Sequence, residues 1–382
     1  MLITICALVI AISLLSVEEF VVKKHIGRIQ LRIHVNGTRG KSSVTEYIAA
    51  GLRTQKKVLA KITGIKPTII YPDGKHEIIK RNGRARVQEQ FNIANLASKL
   101  FVNSLVLECM SILPELQKLE SRLLSPHIYI ITNIRDDHSE EMGATLLEQA
   151  EAICSAIPSN CIVLTSEEHF YPLINKYALK KNSEVIMINS LNEKYSSIVP
   201  EGTFSINIAL ALETCRLAGV TEDSAINNIL EVIKNKPNPL IEFSTNKKKI
   251  RFVDGFAVND VPSAEDFIKY WKNKFVDIEE VYIILNTRND RPIRSLQFAR
   301  WIGSLKSISK VIITGTHIPR TRKEIVKSGF DKNKIYSWKN SQVNSSLNSL
   351  NEIVGKNALV FGLGNIAGDG FVILESLYKS KG

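Results

Sequence analysis

Cysteine is scarce in this chain and nowhere paired. Five occur in 382 residues, Cys6, Cys109, Cys154, Cys161 and Cys215, with no Cys-x-x-Cys and no histidine at a metal-ligand spacing. An odd, scattered set excludes a disulfide framework and implies reduced, mostly buried thiols in a reducing compartment. Aromatic residues are only 7%, and none interleave with basic runs, so the stacking platform of a nucleic-acid binder is missing. Acidic charge is also short. Fifty Lys and Arg outnumber 38 Asp and Glu, for a net charge of +12, which leaves an anionic membrane surface or an acidic substrate as partner. No internal repeat or low-complexity segment is present.

The one long apolar run is Leu2 to Val17. No basic residue precedes it and no small-x-small cleavage site follows it, which argues against a secretory signal. Sixteen uncharged residues, continued by Phe20, Val21 and Val22 beyond Glu18 and Glu19, lie near the lower limit for a span. They predict a membrane anchor over residues 1–25. Lys23, Lys24, His25 and Arg28 on its C-terminal side place the rest of the chain in the cytoplasm.

What is there centres on Ile33-His34-Val35-Asn36-Gly37-Thr38-Arg39-Gly40-Lys41-Ser42-Ser43. Alternating apolar and polar residues read as a half-buried strand, two glycines as a tight loop, and Ser42 to Thr54 as a helix. Such a junction turns several backbone N–H groups and the positive helix end toward one anion. Lys41 then reaches the outer phosphates of a nucleotide, and the Ser42 hydroxyl holds magnesium. The strict spacing requires glycine where Val35 stands, so this is a shorter variant of the phosphate loop. ATP with Mg2+ is the expected ligand.

Two later strands end in polar residues. Ser104 to Leu107 delivers Glu108, and His127 to Thr132 delivers Asn133. Ligands of open parallel sheets gather beyond the carboxyl ends of strands, so both point toward the loop. Glu108 is the expected second oxygen ligand for magnesium. Lys57 to Ile62, Cys161 to Thr165 and Glu184 to Ile188 read as further strands, and Thr203 to Leu217 as a helix. The basic run Lys80, Arg81, Arg84 and Arg86 is either a solvated face or a landing site for anions.

Lys234 to Pro239 reads as a linker. Beyond it strands and helices alternate again, with strands at Arg251 to Val253, Val281 to Leu285, Val311 to Thr314, Lys334 to Ser337 and Ala358 to Phe361. The expected architecture is therefore α/β. A central domain over 26–238 carries the phosphate loop on a doubly wound, mostly parallel sheet. A smaller Rossmann-like domain fills 239–382. Gly362-Leu363-Gly364-Asn365-Ile366-Ala367-Gly368 does not fit a dinucleotide fingerprint, because its glycine spacing is wrong and it follows the last strand.

Gly37 to Ser43 resembles the nucleotide loop of the Mur ligase superfamily, and with Asn36 in front it looks most like that of its poly-gamma-glutamate synthase ligases. Four further stretches resemble them in the same order. They are Glu108-Cys109-Met110, the segment Asn133 to Gly143, the pair of loops Asp254 to Asp260 and Asn286 to Arg291, and the glycine-rich loop after the last strand. The resemblance implies a Mur-ligase-like fold and an amide ligase that polymerises glutamate through its gamma-carboxylate by way of an acyl phosphate. Lys41, Glu108, Asp137 and His138 are its implied catalytic residues, and Ser42, Glu108 and His138 its implied metal ligands. Gly37, Thr38, Arg39, Gly40, Lys41, Ser42, Ser43, Asn207, Asn259 and Arg288 would contact the nucleotide, the last two alternatively the incoming substrate. Thr63-Gly64 would lie near the nucleotide, and Asp290 pairing with Arg291 is a structural alternative. Glu140 stands where the family has aspartate. The carbamylated lysine of many members is missing from Thr145 to Ile157, leaving Glu148 or Glu151 to supply the charge. Expected partners are glutamate, the growing polymer, small membrane subunits and the cytoplasmic membrane, with no nucleic acid. A folylpolyglutamate-type ligase and a membrane-tethered ATPase for polymer assembly or export are the competing readings.

Overall fold

Strands whose side chains are apolar on both faces must be covered on both, and this chain does so twice, in compact units over residues 1–236 and 237–382. The computed structural model describes residues 2–379 apart from 65, 82, 84, 201, 237, 246, 247 and 259. It gives the backbone alone at 2, 3, 7, 11, 12, 14–16, 18, 19, 22, 245 and 340.

The first unit holds strands β1 (Leu31–Asn36), β2 (Val58–Ile62), β3 (Thr68–Ile70), β4 (His76–Ile78), β5 (Ser104–Glu108), β6 (Ile128–Ile131), β7 (Ile162–Thr165) and β8 (Glu184–Met187). They form one sheet in the order β4-β3-β2-β5-β1-β6-β7-β8. All neighbours are parallel except the meander β2-β3-β4. After β1 the chain crosses to β2 on one side, and only later fills β6 on the other. Its end is therefore the topological switch point, where such sheets bind ligands. Ile33 and Val35 pack on one face with helices Lys41–Leu52, Ser205–Leu217 and Glu222–Lys234. On the other face Tyr129, Ile131 and Val163 pack with Leu146–Ser155 and Tyr171–Leu179, while Leu59, Leu105 and Leu107 pack with Gln88–Lys99.

The second unit holds β9 (Leu240–Thr245), β10 (Lys248–Asp254), β11 (Glu280–Thr287), β12 (Lys310–Gly315), β13 (Ile335–Ser337) and β14 (Asn357–Leu363). Their order is β13-β12-β11-β14-β10-β9, parallel but for the β9–β10 pair. Alternate residues of one strand go to opposite cores: Val253, Ile283 and Phe361 to one, Phe252, Ile284 and Val360 to the other. The result is a mixed α/β chain with two largely parallel sheets.

The anchor expected over 1–25 needs correction. Helix α1 spans Leu2–Gly27, but among the described residues no helix is long and apolar enough to cross a membrane. Its helical stretch does not stop at the apolar run; it continues through Lys23, Lys24 and His25. There Ile26 and the following Ile29 enter the core beside Leu59, Ile93 and Ala94, and His25 meets Asn95 at 2.5 Å. Several side chains of the run lie outside the described residues. Ile5, Leu8, Val9, Ile10, Val17 and Phe20 are exposed.

Candidate active site

The loop between β1 and α2 (Lys41–Leu52) is held in shape from both ends. Asn36 donates to Gln117 Oε1 at 2.9 Å and to the Tyr129 hydroxyl at 2.8 Å, and accepts from the Gly37 N–H at 2.8 Å. The Thr38 N–H donates to the Asn133 carbonyl at 2.9 Å and the Arg39 N–H to Asn133 Oδ1 at 2.9 Å. Gly40 caps α2 in the left-handed region with φ 81° and offers no side-chain cap. The first amides of α2, at Lys41, Ser42 and Ser43, are thereby left to a ligand, in the manner of an anion site. A β-carbon at Gly40 would come within 2.8 Å of Asn207 Oδ1, and one at Gly37 within 2.3 Å of Thr132 Oγ1. Glycine is required at both. Asn207, buried on helix Ser205–Leu217, therefore flanks the loop.

Lys41 Nζ rests on the loop's own rim, donating to the carbonyls of Gly37 at 2.7 Å and Thr38 at 3.3 Å. Beside it the Ser42 hydroxyl donates to Glu108 Oε2 at 2.9 Å, and the Thr63 N–H donates to the same oxygen at 2.6 Å. Adjacent ligands on an octahedral magnesium, each at about 2.1 Å, are about 3.0 Å apart. The Ser42 and Glu108 oxygens fit that edge without rearrangement. Gly64 lies against Ser42, where a β-carbon would come within 2.9 Å of the Ser42 hydroxyl.

A second cluster stands at the other side of the loop. Arg39 pairs with Asp137 at 3.0 Å. His138 Nε2 is 3.7 Å from Asp137 Oδ2 and its Nδ1 is 3.6 Å from Glu141 Oε2. His138 takes the left-handed conformation, φ 54°, a strained state for a residue with a β-carbon that recurs at functional sites. Glu140 and Glu141 are both exposed, and Glu141 is the one that lies 3.6 Å from the imidazole. Of the two glutamates proposed to replace the lysine, Glu148 is spent on a capping box with Thr145, and Glu151 is exposed. The side chain that does reach this cluster is Gln149, fully buried, which bonds Asp136, the Asp137 N–H and Gly143.

Asn259 lies outside the described residues. Arg288 pairs with Asp290 at 2.7 Å on the surface. The 362–368 loop is stitched to the end of β11, with Asn286 Nδ2 donating to Asn365 O at 2.6 Å and Ala367 O at 2.9 Å. A cavity of about 460 Å³ opens at the ends of β12 and β13, lined by Gly315, Ile318, Trp338, Lys339, Ser341 and Asp369. None of these lining residues was singled out from the sequence.

The Mur ligase middle domain matches residues 35–208, and the poly-gamma-glutamate synthase CapB C-terminal domain matches 240–380. The chain belongs to the Mur ligase superfamily. It is similar to the PGA synthase CapB of Bacillus subtilis (strain 168), 29% identical over all of this chain and 98% of that one. It is also similar to the capsule biosynthesis protein CapB of Bacillus anthracis, 28% identical over 94% of this chain and 79% of the other. Its fold is shared with Escherichia coli FolC in complex with ADP, at TM-score 0.67 and 12% identity, covering 96% and 94% of the two chains. Within the superfamily the chain groups with poly-gamma-glutamate synthase subunits, and an ATP-dependent amide ligase is the enzyme class indicated.

Beneath the site lies a charged network that sequence reading missed. Lys61, at the end of β2, is fully buried and meets Glu89 at 2.7 Å and Gln90 Oε1 at 3.1 Å. Gln90 in turn donates to the Glu108 carbonyl at 2.9 Å. Burial holds the Lys61 ammonium below the ordinary lysine range, against the pull of Glu89. No local pattern could have revealed it, because a lysine in an apolar strand acquires its meaning from partners about thirty residues away.

Proposed function

We propose that this Mur-superfamily ligase joins glutamate units through the gamma-carboxylate, using ATP and magnesium, as the catalytic subunit of a membrane-attached synthase. The observation that carries the reading is the Ser42–Glu108 oxygen pair at 2.9 Å, beside Lys41 on a loop that presents helix amides. A carboxylate oxygen attacks the gamma-phosphorus, the bond from that phosphorus to the bridging oxygen breaks, and ADP leaves. Lys41 and the α2 amides hold the transferring group and offset its charge, which is electrostatic positioning. Ser42 and Glu108 would hold the magnesium ion, which would supply further charge neutralisation on the phosphates. Asp137 and His138 orient the carboxylate being activated. The amine of the next unit then adds to the acyl carbon, loses its proton, and phosphate departs as the amide forms.

Membrane attachment belongs to the same proposal. The exposed Ile5, Leu8, Val9, Ile10, Val17 and Phe20 of α1, next to Lys23, Lys24 and Arg28, suit an anionic cytoplasmic leaflet. Small membrane subunits are the expected companions, and the excess positive charge suits a polyanionic product. The test is hydroxylamine trapping with ATP, magnesium and glutamate. The proposal expects ADP together with a glutamyl hydroxamate. ATP consumption without hydroxamate would point to an ATPase for assembly or export, and hydroxamate only with a folate acceptor to a folylpolyglutamate-type ligase.

A further inference from the structure

Three buried side chains of different chemistry meet beneath the phosphate loop. His34 projects from β1, Cys109 follows β5, and Glu120 lies on helix Pro114–Leu124; they are 0%, 3% and 0% exposed. One nitrogen, one sulfur and one oxygen of these residues all lie within 4.8 Å of one another. Glu120 is anchored from behind, accepting from the Ser111 hydroxyl at 3.0 Å and the Met110 N–H at 3.2 Å. His34 Nδ1 faces the Ser121 hydroxyl at 3.3 Å. Its Nε2 points at Glu120 Oε2 from 3.5 Å and, although fully buried, has no hydrogen-bond partner.

That separation distinguishes two cations that could sit between the atoms. A proton shared by an imidazolium and a carboxylate draws them to roughly 2.7–2.9 Å, closer than they are. Nitrogen and oxygen ligands at about 2.0–2.1 Å from a tetrahedral zinc are about 3.4 Å apart. We propose that His34, Cys109 and Glu120 bind a borderline-soft divalent ion of the zinc class. The donor set of one imidazole, one thiolate and one carboxylate is that of zinc and its neighbours, whereas the Ser42–Glu108 pair offers only oxygen and suits magnesium. On binding, the Cys109 thiol releases its proton to solvent, and thiolate and carboxylate together balance the dication. The Ser111 carbonyl, 3.8 Å from the Cys109 sulfur, or a water fills the fourth position. The ion ties together the strand that ends in the phosphate loop, the residue after Glu108, and the helix whose Gln117 holds Asn36. It is a structural clasp that positions Glu108 and does not take part in the reaction. Sequence spacing hid it, since the ligands are 75 and 11 positions apart.

The test uses the full-length protein. Zinc content is measured by elemental analysis after exhaustive dialysis, and cobalt-loaded protein is scanned for thiolate-to-cobalt charge-transfer absorption. The expected result is an equimolar, dialysis-resistant metal and a cobalt band that Cys109→Ser removes, with His34→Gln weakening zinc affinity at least about tenfold. Should Cys109→Ser fail to fold, protection of Cys109 from alkylation by bound zinc, read by mass spectrometry on the wild-type chain, decides the matter. Folded wild-type protein that binds ATP yet takes up no zinc and gives no cobalt band would overturn the proposal, as would a band that persists in Cys109→Ser.

Discussion

Lys41 and His138 flank the same loop, but their contacts assign them different work. Lys41 is tied to the loop carbonyls, and its loss takes away the charge that meets the phosphates. Lys41→Ala is expected to abolish ATP turnover. His138 meets Asp137 and Glu141 on the other side of the loop, so His138→Ala is expected to leave nucleotide binding near wild type while lowering amide formation by about 100-fold or more. Calorimetric nucleotide binding set beside product assays checks the division, and equal loss of binding in both variants would contradict it. Glu108 offers a third test at this scale. It accepts from both Ser42 and the Thr63 amide, so Glu108→Gln keeps the shape and removes the charge. It should raise the magnesium concentration needed for half-maximal turnover at least about tenfold, read by magnesium titration at saturating ATP.

Among elements, legibility followed the length and periodicity of the signal. β5, β6 and β11 are runs whose apolar content speaks for itself, β1 is marked by its alternation, and their expected positions agree with the structure to within a few residues. β3 and β4 have three residues each, too short for alternation to register. β9 was obscured differently: it starts at Leu240, directly after a stretch with Pro237 and Pro239 that reads as linker, yet buries Ile241 and Phe243. Of the site, the loop and the strand-end Glu108 could be read from local pattern. Gln149, Gln90 and Lys61 could not, because each is a polar residue given its partners by the fold.

The Lys61–Glu89–Arg81 chain leads to a pH prediction. Burial pushes the Glu89 carboxyl up, but hydrogen bonds from Arg81 and Lys61 outweigh it and hold the group below the ordinary carboxylate range. An unfolded glutamate takes up a proton near about pH 4.3. As pH falls past that value the unfolded chain is protonated first, so the stabilisation present above it is lost as pH drops through the folded value. Glu89→Gln should flatten this acid limb of the stability curve. At neutral pH it should cost about 3 kcal/mol, because Lys61 keeps its burial and loses its counter-charge. Denaturant melts of both proteins across the acid range measure the two effects.

Across the whole molecule, the positive excess and the exposed apolar residues of α1 make one expectation. Deleting residues 2–22 spares Ile26 and Ile29, which belong to the core. The shortened chain should fold and bind ATP, yet lose co-sedimentation with vesicles containing anionic lipid. Retained vesicle binding would move the membrane contact to another basic surface.

The central claim is that a carboxyl oxygen is made to depart as phosphate, and one isotope experiment addresses it directly. Glutamate labelled with heavy oxygen in its gamma-carboxylate is incubated with the protein, ATP and magnesium, in the presence of membranes, and the inorganic phosphate released is analysed by mass. The account predicts that one labelled oxygen appears in each phosphate formed together with an amide. Phosphate carrying oxygen from water alone would contradict it.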